Sequence, residues 1–328
     1  MIRVAQIGVG YWGPNLLRNL VANDECEVTL VSDISEERRK YVSSLYPAIR
    51  LTDSAEAVLE NGEVEAVVIA TPVHTHFELA IAALEEGKHI LVEKPMATTV
   101  AEIDTIGDLA KKKGLVAMVG HTFLFNEAVR YLKRLIDSGE LGEIRYIYSQ
   151  RLNLGRIRSD VDALWNFAPH DVSIIQYLLG NPRPVSVKRT GMDYIQDGVE
   201  DVVFMDITYT NKIMAHIHVS WLDPTRVRRM TVVGSKKMIV YDDIAENKIT
   251  IYDKGIDRKA VLGEYMDYDH GEFSRLSYRS GDVLLPKIDF VEPLKIEVSH
   301  FVECVKGGVS CITGPEHARN VVEILSHG

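Results

Sequence analysis

The stretch "RVAQIGVGYWGPN", Arg3 to Asn15, decides how the chain begins to fold. An apolar run of strand type breaks into Gly8-Val9-Gly10-Tyr11-Trp12-Gly13, and Pro14 follows where a first helical turn tolerates it. A G-x-G-x-x-G run alone is weak evidence. Here it follows a strand, opens a helix and precedes Asp33, which ends the next apolar run, "CEVTLVSD". That context predicts a dinucleotide site. Gly8 permits the turn, Gly10 lets the backbone approach a pyrophosphate, and Gly13 allows close helix–strand packing, with the diphosphate on the helix N-terminus. Tyr11 and Trp12 lie inside the motif and join the candidate cofactor contacts. Asp33 is expected to accept from the adenosine ribose hydroxyls and to repel a 2′-phosphate, which favours NAD over NADP. Arg38 and Arg39 stand nearby on the following helix.

Outward from that motif, "EAVVIATP", "KHILVEKP" and "LVAMVGH" read as further strands, separated by the helical stretches "SEERRKYVSSLY", "THFELAIAALEEG" and "TTVAEIDTIGDLAKKKG". Apolar strands alternating with helices predict an α/β fold whose parallel sheet is covered on both faces. After His121 the grammar changes. "EIRYIYSQRLNL", "PVSVKRTG", "DVVFMDITY", "KIMAHIHVSW", "RRMTVVGS", "KKMIVYDD" and "KITIYDK" are short successive strands. The expectation is a Rossmann-type doubly wound parallel sheet over residues 1–121, then an α+β domain over 122–328 with an open, mostly antiparallel sheet. Two late helices, around Leu294–Lys306 and Ala318–Ser326, are expected to close it.

A length of 328 residues suits two domains, and 46% hydrophobic with 26% charged residues suits a globular protein. The formal net charge of −10 argues against a nucleic-acid partner but not against local binding of a small anion. No apolar run reaches membrane-spanning length, and "MIRVAQIGVG" enters a strand without a leader pattern. Cys26, Cys304 and Cys311 make neither a disulfide framework nor a zinc spacing, so a cytoplasmic location and no metal are expected. No base partner for a thiol nucleophile is evident. His216 and His218 alternate on one strand and could face a cleft, without the third ligand a metal needs.

Three stretches carry chemistry-bearing residues. In "ATPVHTH", at a strand's carboxyl end, Thr71 and Pro72 are candidates for the nicotinamide side, with His76 either there or capping the next helix. In "VEKPMA", Glu93 and Lys94 stand at another strand end, and Pro95 fixes the chain behind the lysine. A lysine beside a positive nicotinamide ring would have its pKa lowered, which suits proton transfer. In "LWNFAPHDVS", Pro169 and His170 read either as the entry to the helix "VSIIQYLLG" or as part of an active site, framed by Trp165.

Together "GVGYWG", "ATPVHTHFELA", "VEKPMA" and "APHD" resemble the glucose-fructose oxidoreductase, inositol dehydrogenase and rhizopine-catabolism family (Gfo/Idh/MocA), over essentially the whole chain. The resemblance implies a Rossmann domain followed by a domain whose open sheet often forms the oligomer interface, here a homodimer or homotetramer. It also implies hydride transfer between NAD(P) and a sugar or cyclitol carbon, with Lys94 and His170 contacting the reacting hydroxyl. The family often has an aspartate four residues before that histidine. This chain has Asn166, an amide that can orient a partner but not share its proton. Asp171 is read either as a helix cap or as an assistant to His170. By the same resemblance Asn126 is a cofactor contact.

The stretches "GHTFLFN", "RLNLGRIRSD", "HVSWLDPTRVRRM" and "LSYRSGDVLLP" resemble the subgroup that oxidises C3 of a UDP-linked N-acetyl sugar to a 3-keto sugar nucleotide. A nucleotide diphosphate needs fixed cationic forks, and two clusters are candidates: Arg151, Arg156 and Arg158, and Arg226, Arg228 and Arg229. The alternatives are a free-sugar or inositol dehydrogenase, an NAD-dependent glycosidase, and a non-enzymatic NAD-binding scaffold.

Overall fold

The computed structural model describes residues 1–155, 157–159, 161–258 and 276–327, so the candidate Arg156 lies outside the described residues. The chain forms two compact units.

In the first unit, β1 (Ile2–Ile7), β2 (Cys26–Ser32), β3 (Arg50–Thr52), β4 (Ala66–Ile69), β5 (His89–Glu93) and β6 (Ala117–Gly120) form a six-stranded sheet in the order β3-β2-β1-β4-β5-β6. Every pair is parallel. Helices α1 (Gly13–Val21), α2 (Glu36–Leu45), α3 (Glu56–Leu59), α4 (His76–Glu85) and α5 (Val100–Lys113) connect them. All four residues of β4 are buried, as a sheet covered on both faces requires. Leu16, Leu17 and Leu20 of α1 are buried too, each contributing on the order of 2 kcal/mol. Local signals agree with this packing. Ser35 accepts the Arg38 N–H at the start of α2, and Thr99 with Glu102 closes a capping box on α5, which stops at Gly114 in the left-handed region. Strand order reverses between β1 and β4, so the loops leaving those two strands flank a crevice at their carboxyl ends.

In the second unit, α6 (Glu127–Asp137) leads into β7 (Ile144–Leu154), and α7 (Ala163–Leu179) precedes β8 (Ser186–Met192), β9 (Val202–Thr208), β10 (Met214–Ser220), β11 (Leu222–Gly234), β12 (Met238–Asp242), β13 (Ile249–Arg258) and β14 (Leu276–Leu284). The eight strands lie in the order β14-β13-β12-β11-β7-β10-β9-β8. Among the described residues only β7 with β10 is parallel; the other pairs are antiparallel. α7 packs on β7, β9 and β10, over the face that carries Ile147, Met205 and Ile217. Alternation then puts Tyr146, Phe204 and Met214 on the opposite face, where all three are exposed.

Two boundaries differ from the sequence reading. The first unit comprises Met1–Asn126 and Val291–Ser326, not residues 1–121, because α8 (Pro293–Val305) and α9 (Pro315–Ser326) return to it. α8 packs on α1 and α9 on α5, burying Phe301, Val321 and Ile324. The other difference concerns α7, which starts at Ala163 and not after His170. Among the described residues no helix is long and apolar enough to cross a membrane.

Candidate active site

The glycine motif is built for backbone reasons at two of its three positions. Gly8 sits at φ +92°, and a Cβ there would stand 2.6 Å from the Ala70 carbonyl oxygen. At Gly13 a Cβ would meet the Gly8 carbonyl oxygen at 2.5 Å. Gly10 differs, since a Cβ there meets nothing within 4 Å and only something arriving from outside would feel it. The Gln6 amide fastens this loop from beneath, donating to the carbonyls of Gly8 at 2.8 Å and Gly13 at 2.9 Å. Asp33 accepts the Val9 N–H at 2.7 Å and the Ser35 N–H at 2.8 Å. A carboxylate offers about four lone-pair sites, so two remain for ribose hydroxyls. Arg39 donates to the Asp33 carbonyl at 2.6 Å. An open glycine backbone at a helix start beside an acidic acceptor fits the adenosine-diphosphate half of NAD. Tyr11, 90% exposed, stands beside that backbone.

The loops after β4 and β5 are tied together. His76, fully buried, turns Nδ1 to the Pro95 carbonyl at 2.8 Å and Nε2 to the Thr71 carbonyl at 2.9 Å. Burial lowers its pKa, against the pull of both carbonyls. His76 therefore holds two loops in register and does not cap α4, whose N-cap is Thr75. The Thr71 hydroxyl contacts that of Thr75 at 2.7 Å, and Pro72 is exposed at the start of the turn Val73–Thr75. Asn126 is buried at the end of the turn Thr122–Phe125.

Around Lys94 lies a set of buried ionisable groups. The Glu93 carboxylate accepts from the Lys94 N–H at 3.1 Å and from the Trp12 indole, so Trp12 ties the glycine loop to the end of β5. Oε1 of Glu93 is enclosed, and a Cβ at Gly120 would come within 3.2 Å of it. Burial pushes Glu93 up to about 7, opposed by the Lys94 N–H, the Lys94 charge and Trp12. Glu297 of α8, wholly buried, accepts the Thr122 hydroxyl at 2.8 Å; burial first, then the Glu93 charge, drive it well above the carboxylate range. His121 and His317 meet edge to face at 5.2 Å. Burial, then His317 and the Lys94 charge, push His121 well below its ordinary value, and burial brings His317 down to about 4. Lys94 thus has an imidazole, His121, and a carboxyl, Glu93, that both resist charging among its electrostatic neighbours.

In the second unit, Asp162 caps α7 by accepting the Trp165 N–H at 2.8 Å. Pro169 therefore lies inside the helix, where it has no N–H to give the Trp165 carbonyl. Asn166 and His170 consequently stand one turn apart on one helix face, both half-buried, with Trp165 beside them. Asp171 is neither a cap nor an assistant to His170. It points the other way, accepting from Ser149 Oγ at 2.7 Å and from Arg151 Nε at 2.7 Å.

That pairing corrects the reading of Arg151. Its guanidinium is buried beneath α7 and committed to Asp171, so it is a structural cation and not a diphosphate fork. Arg228, opposite Arg151 on β11, is half-buried and reaches Asp243 at 3.4 Å; burial, then Arg151 and Arg226, lower its pKa. Arg226 and Arg158 are exposed, and the Arg158 carbonyl accepts from Gln196. His216 and His218 belong to the sheet face away from α7. His216 Nδ1 contacts Asp206 at 2.7 Å and His218 stacks on Phe204 at 4.3 Å.

A model described as an oxidoreductase family with an NAD-binding Rossmann fold matches residues 2–121, and the GFO/IDH/MocA C-terminal domain matches residues 129–240. The chain belongs to the GFO/IDH/MocA family. UDP-N-acetylglucosamine 3-dehydrogenase of Acidithiobacillus ferrooxidans is 28% identical over 77% of this chain and 78% of its own. Its solved structure superposes with a TM-score of 0.79 at 25% identity, covering 99% of this chain and 95% of that one. scyllo-Inositol 2-dehydrogenase (NAD⁺) of Bacillus subtilis is 26% identical over 94% and 87%. An oxidoreductase structure from Magnetospirillum magnetotacticum reaches a TM-score of 0.82 at 28% identity, over 99% of each chain. The chain spans about three fifths of the length of the first curated relatives it matches, 61% and 59%.

Among the residues of this GFO/IDH/MocA chain that the sequence reading missed, Glu297, His121 and His317 matter most. A polar residue falling on the apolar stripe of a helix would have flagged two of them. Glu297 stands between Leu294 and Val298 on α8, and His317 precedes Ala318 and Val321 on α9.

Proposed function

We propose that the chain is an NAD-dependent dehydrogenase that oxidises the C3 hydroxyl of a UDP-linked N-acetyl sugar to a 3-keto sugar nucleotide. The observation that carries this is the carboxyl end of β5, where Glu93 accepts the Lys94 main-chain N–H and His76 meets the Pro95 carbonyl. The UDP-N-acetylglucosamine 3-dehydrogenase relative, matched along most of both chains, supports the substrate class. In the proposed reaction Lys94 polarises the substrate hydroxyl and His170 takes its proton. Asn166 orients the imidazole or the hydroxyl. NAD, when bound, accepts the hydride from the same carbon, leaving a ketone. Orientation and water exclusion supply much of the acceleration. Arg226 and Arg228, with Arg158, are the proposed diphosphate ligands.

The test is the absorbance of reduced nicotinamide on mixing protein, NAD and UDP-N-acetylglucosamine, with a ketone trap and with myo-inositol and glucose in parallel. A signal confined to the UDP sugar is expected. A signal confined to the free polyols would replace the substrate with a cyclitol, the reading that the scyllo-inositol dehydrogenase relative favours. Lys94→Ala and His170→Ala should keep NAD binding and lose turnover; unchanged turnover in both would sink the assignment. We further propose a cytoplasmic homo-oligomer. The exposed Tyr146, Phe204 and Met214 face supports association, and the free thiols support the location. Sedimentation would give the oligomer's size.

A further inference from the structure

Two cysteines and a histidine that the sequence spreads over twelve positions meet in the first unit. His300 and Cys304 stand four residues apart on α8 and so share a face, and both are buried. The chain then turns through Gly307 at φ +76° and returns Cys311, half-buried, to the same place. One ligating atom from each of the three lies within 4.8 Å of the others. Cys304 Sγ is 3.4 Å from His300 Nε2. A tetrahedral ion with Zn–S of about 2.3 Å and Zn–N of about 2.05 Å spaces such a pair about 3.5 Å apart.

We propose that His300, Cys304 and Cys311 form a binding site for one thiophilic divalent cation of the Zn²⁺ type, with a fourth position left for water. Two sulfurs and an imidazole are the donor set such an ion selects. The three are also held in place without it. The Ile312 N–H donates to His300 Nε2 at 3.3 Å, which turns the ring toward the Cys311 segment with a hydrogen bond that a bound ion would replace. The Thr313 carbonyl accepts the Val119 N–H of β6 at 2.9 Å, which pins the segment carrying Cys311 to the sheet. The Phe125 ring walls the site at 5.3 Å from His300. No thiol nucleophile is needed for the proposed hydride transfer, and none of the three residues serves it.

The experiment uses the full chain, stripped with a chelator, reduced and titrated with Co²⁺ alone. One equivalent should bind, giving a thiolate-to-cobalt charge-transfer band and the strong visible bands of a tetrahedral site, and Zn²⁺ added afterwards should abolish both. Cys311→Ser should weaken Co²⁺ binding by a factor of about 100, while Cys26→Ser leaves it unchanged. Should Cys311→Ser not fold, alkylation of the wild type decides: Zn²⁺ should slow labelling of Cys304 and Cys311 and not of Cys26. Absence of a sulfur band in the folded, reduced protein overturns the proposal, as does a band that persists unchanged in Cys311→Ser. A Cys304–Cys311 disulfide that accumulates on mild oxidation, with no Co²⁺ bound after reduction, overturns it too and makes the pair a redox dithiol.

Discussion

Arg151 donates through Nε to Asp171 Oδ2 at 2.7 Å, with both side chains buried between α7 and its sheet. The pair anchors the residue next to His170, so it fixes the rotation of the helix face that carries Asn166 and His170. Asp171→Asn removes the buried carboxylate that Arg151 donates to, which costs about 3–5 kcal/mol. The expected result is a large drop in the denaturation midpoint. Arg151→Met combined with Asp171→Leu should recover most of it, because an apolar pair of similar volume leaves no stranded charge.

The three glycines of the motif should separate into two kinds. Gly13→Ala drives a Cβ into the Gly8 carbonyl and should lower thermal stability by more than about 2 kcal/mol. Gly10→Ala meets open space and should melt like the wild type, yet bind NAD at least about tenfold more weakly, about 1.4 kcal/mol. Calorimetric melting and NAD titration on the same two variants check this. A Gly10→Ala variant with wild-type NAD affinity would remove the cofactor reading of the loop.

Glu93 makes stability depend on pH. Its folded-state pKa, raised to about 7, lies above that of the unfolded chain, so the folded state binds the extra proton between the two values. The stability of the protonated form is fully present below about pH 4.5 and is lost as pH rises through about 7, by at most about 3 kcal/mol. His121 and His317, lowered by burial, act in the opposite direction over the acid side of this window. The difference between wild type and Glu93→Gln reports the Glu93 carboxylate together with its effect on Glu297. Chemical denaturation from pH 5 to 8 should show the variant gaining on the wild type as pH rises; parallel curves would contradict it.

Arg226 offers a cleaner test of nucleotide recognition than Arg151. Being exposed, it can be cut back at little structural cost, within about 0.5 kcal/mol. Under the proposed function Arg226→Ala should raise KM for UDP-N-acetylglucosamine about tenfold, with kcat and melting temperature little changed. An unchanged KM would exclude Arg226 from diphosphate binding.

Much of the fold could be read from the chain because its local and global signals agree. Gly8 to Gly13, Asp33, the capping residues Ser35 and Thr99, and the alternation along β9 and β10 each point to the element they form. The start of α7 was misjudged because Pro169 has the look of a first-turn residue, whereas the Asp162 cap lies seven positions earlier and outweighs it. Arg151 was misjudged because a cation after a strand gives no sign of whether its partner is a ligand or a buried aspartate twenty residues on. The carboxyl pair of Glu93 and Glu297 and the imidazole pair of His121 and His317 each join residues about two hundred positions apart. Nothing in the spacing along the chain records such contacts.

The return of α8 and α9 to the first unit sets an order of events during synthesis. A ribosome releases the six parallel strands early, but the helices that cover α1 and α5 are the last to be made. Until they emerge, Leu132-side residues of the following unit are already free to fold, while the sheet that carries the glycine loop lacks Phe301, Val321 and Ile324 from its core. The nascent chain therefore finishes its second unit before its first, and a fragment ending at Asn126 would carry every motif glycine but leave α1 and α5 without the helices that cover them.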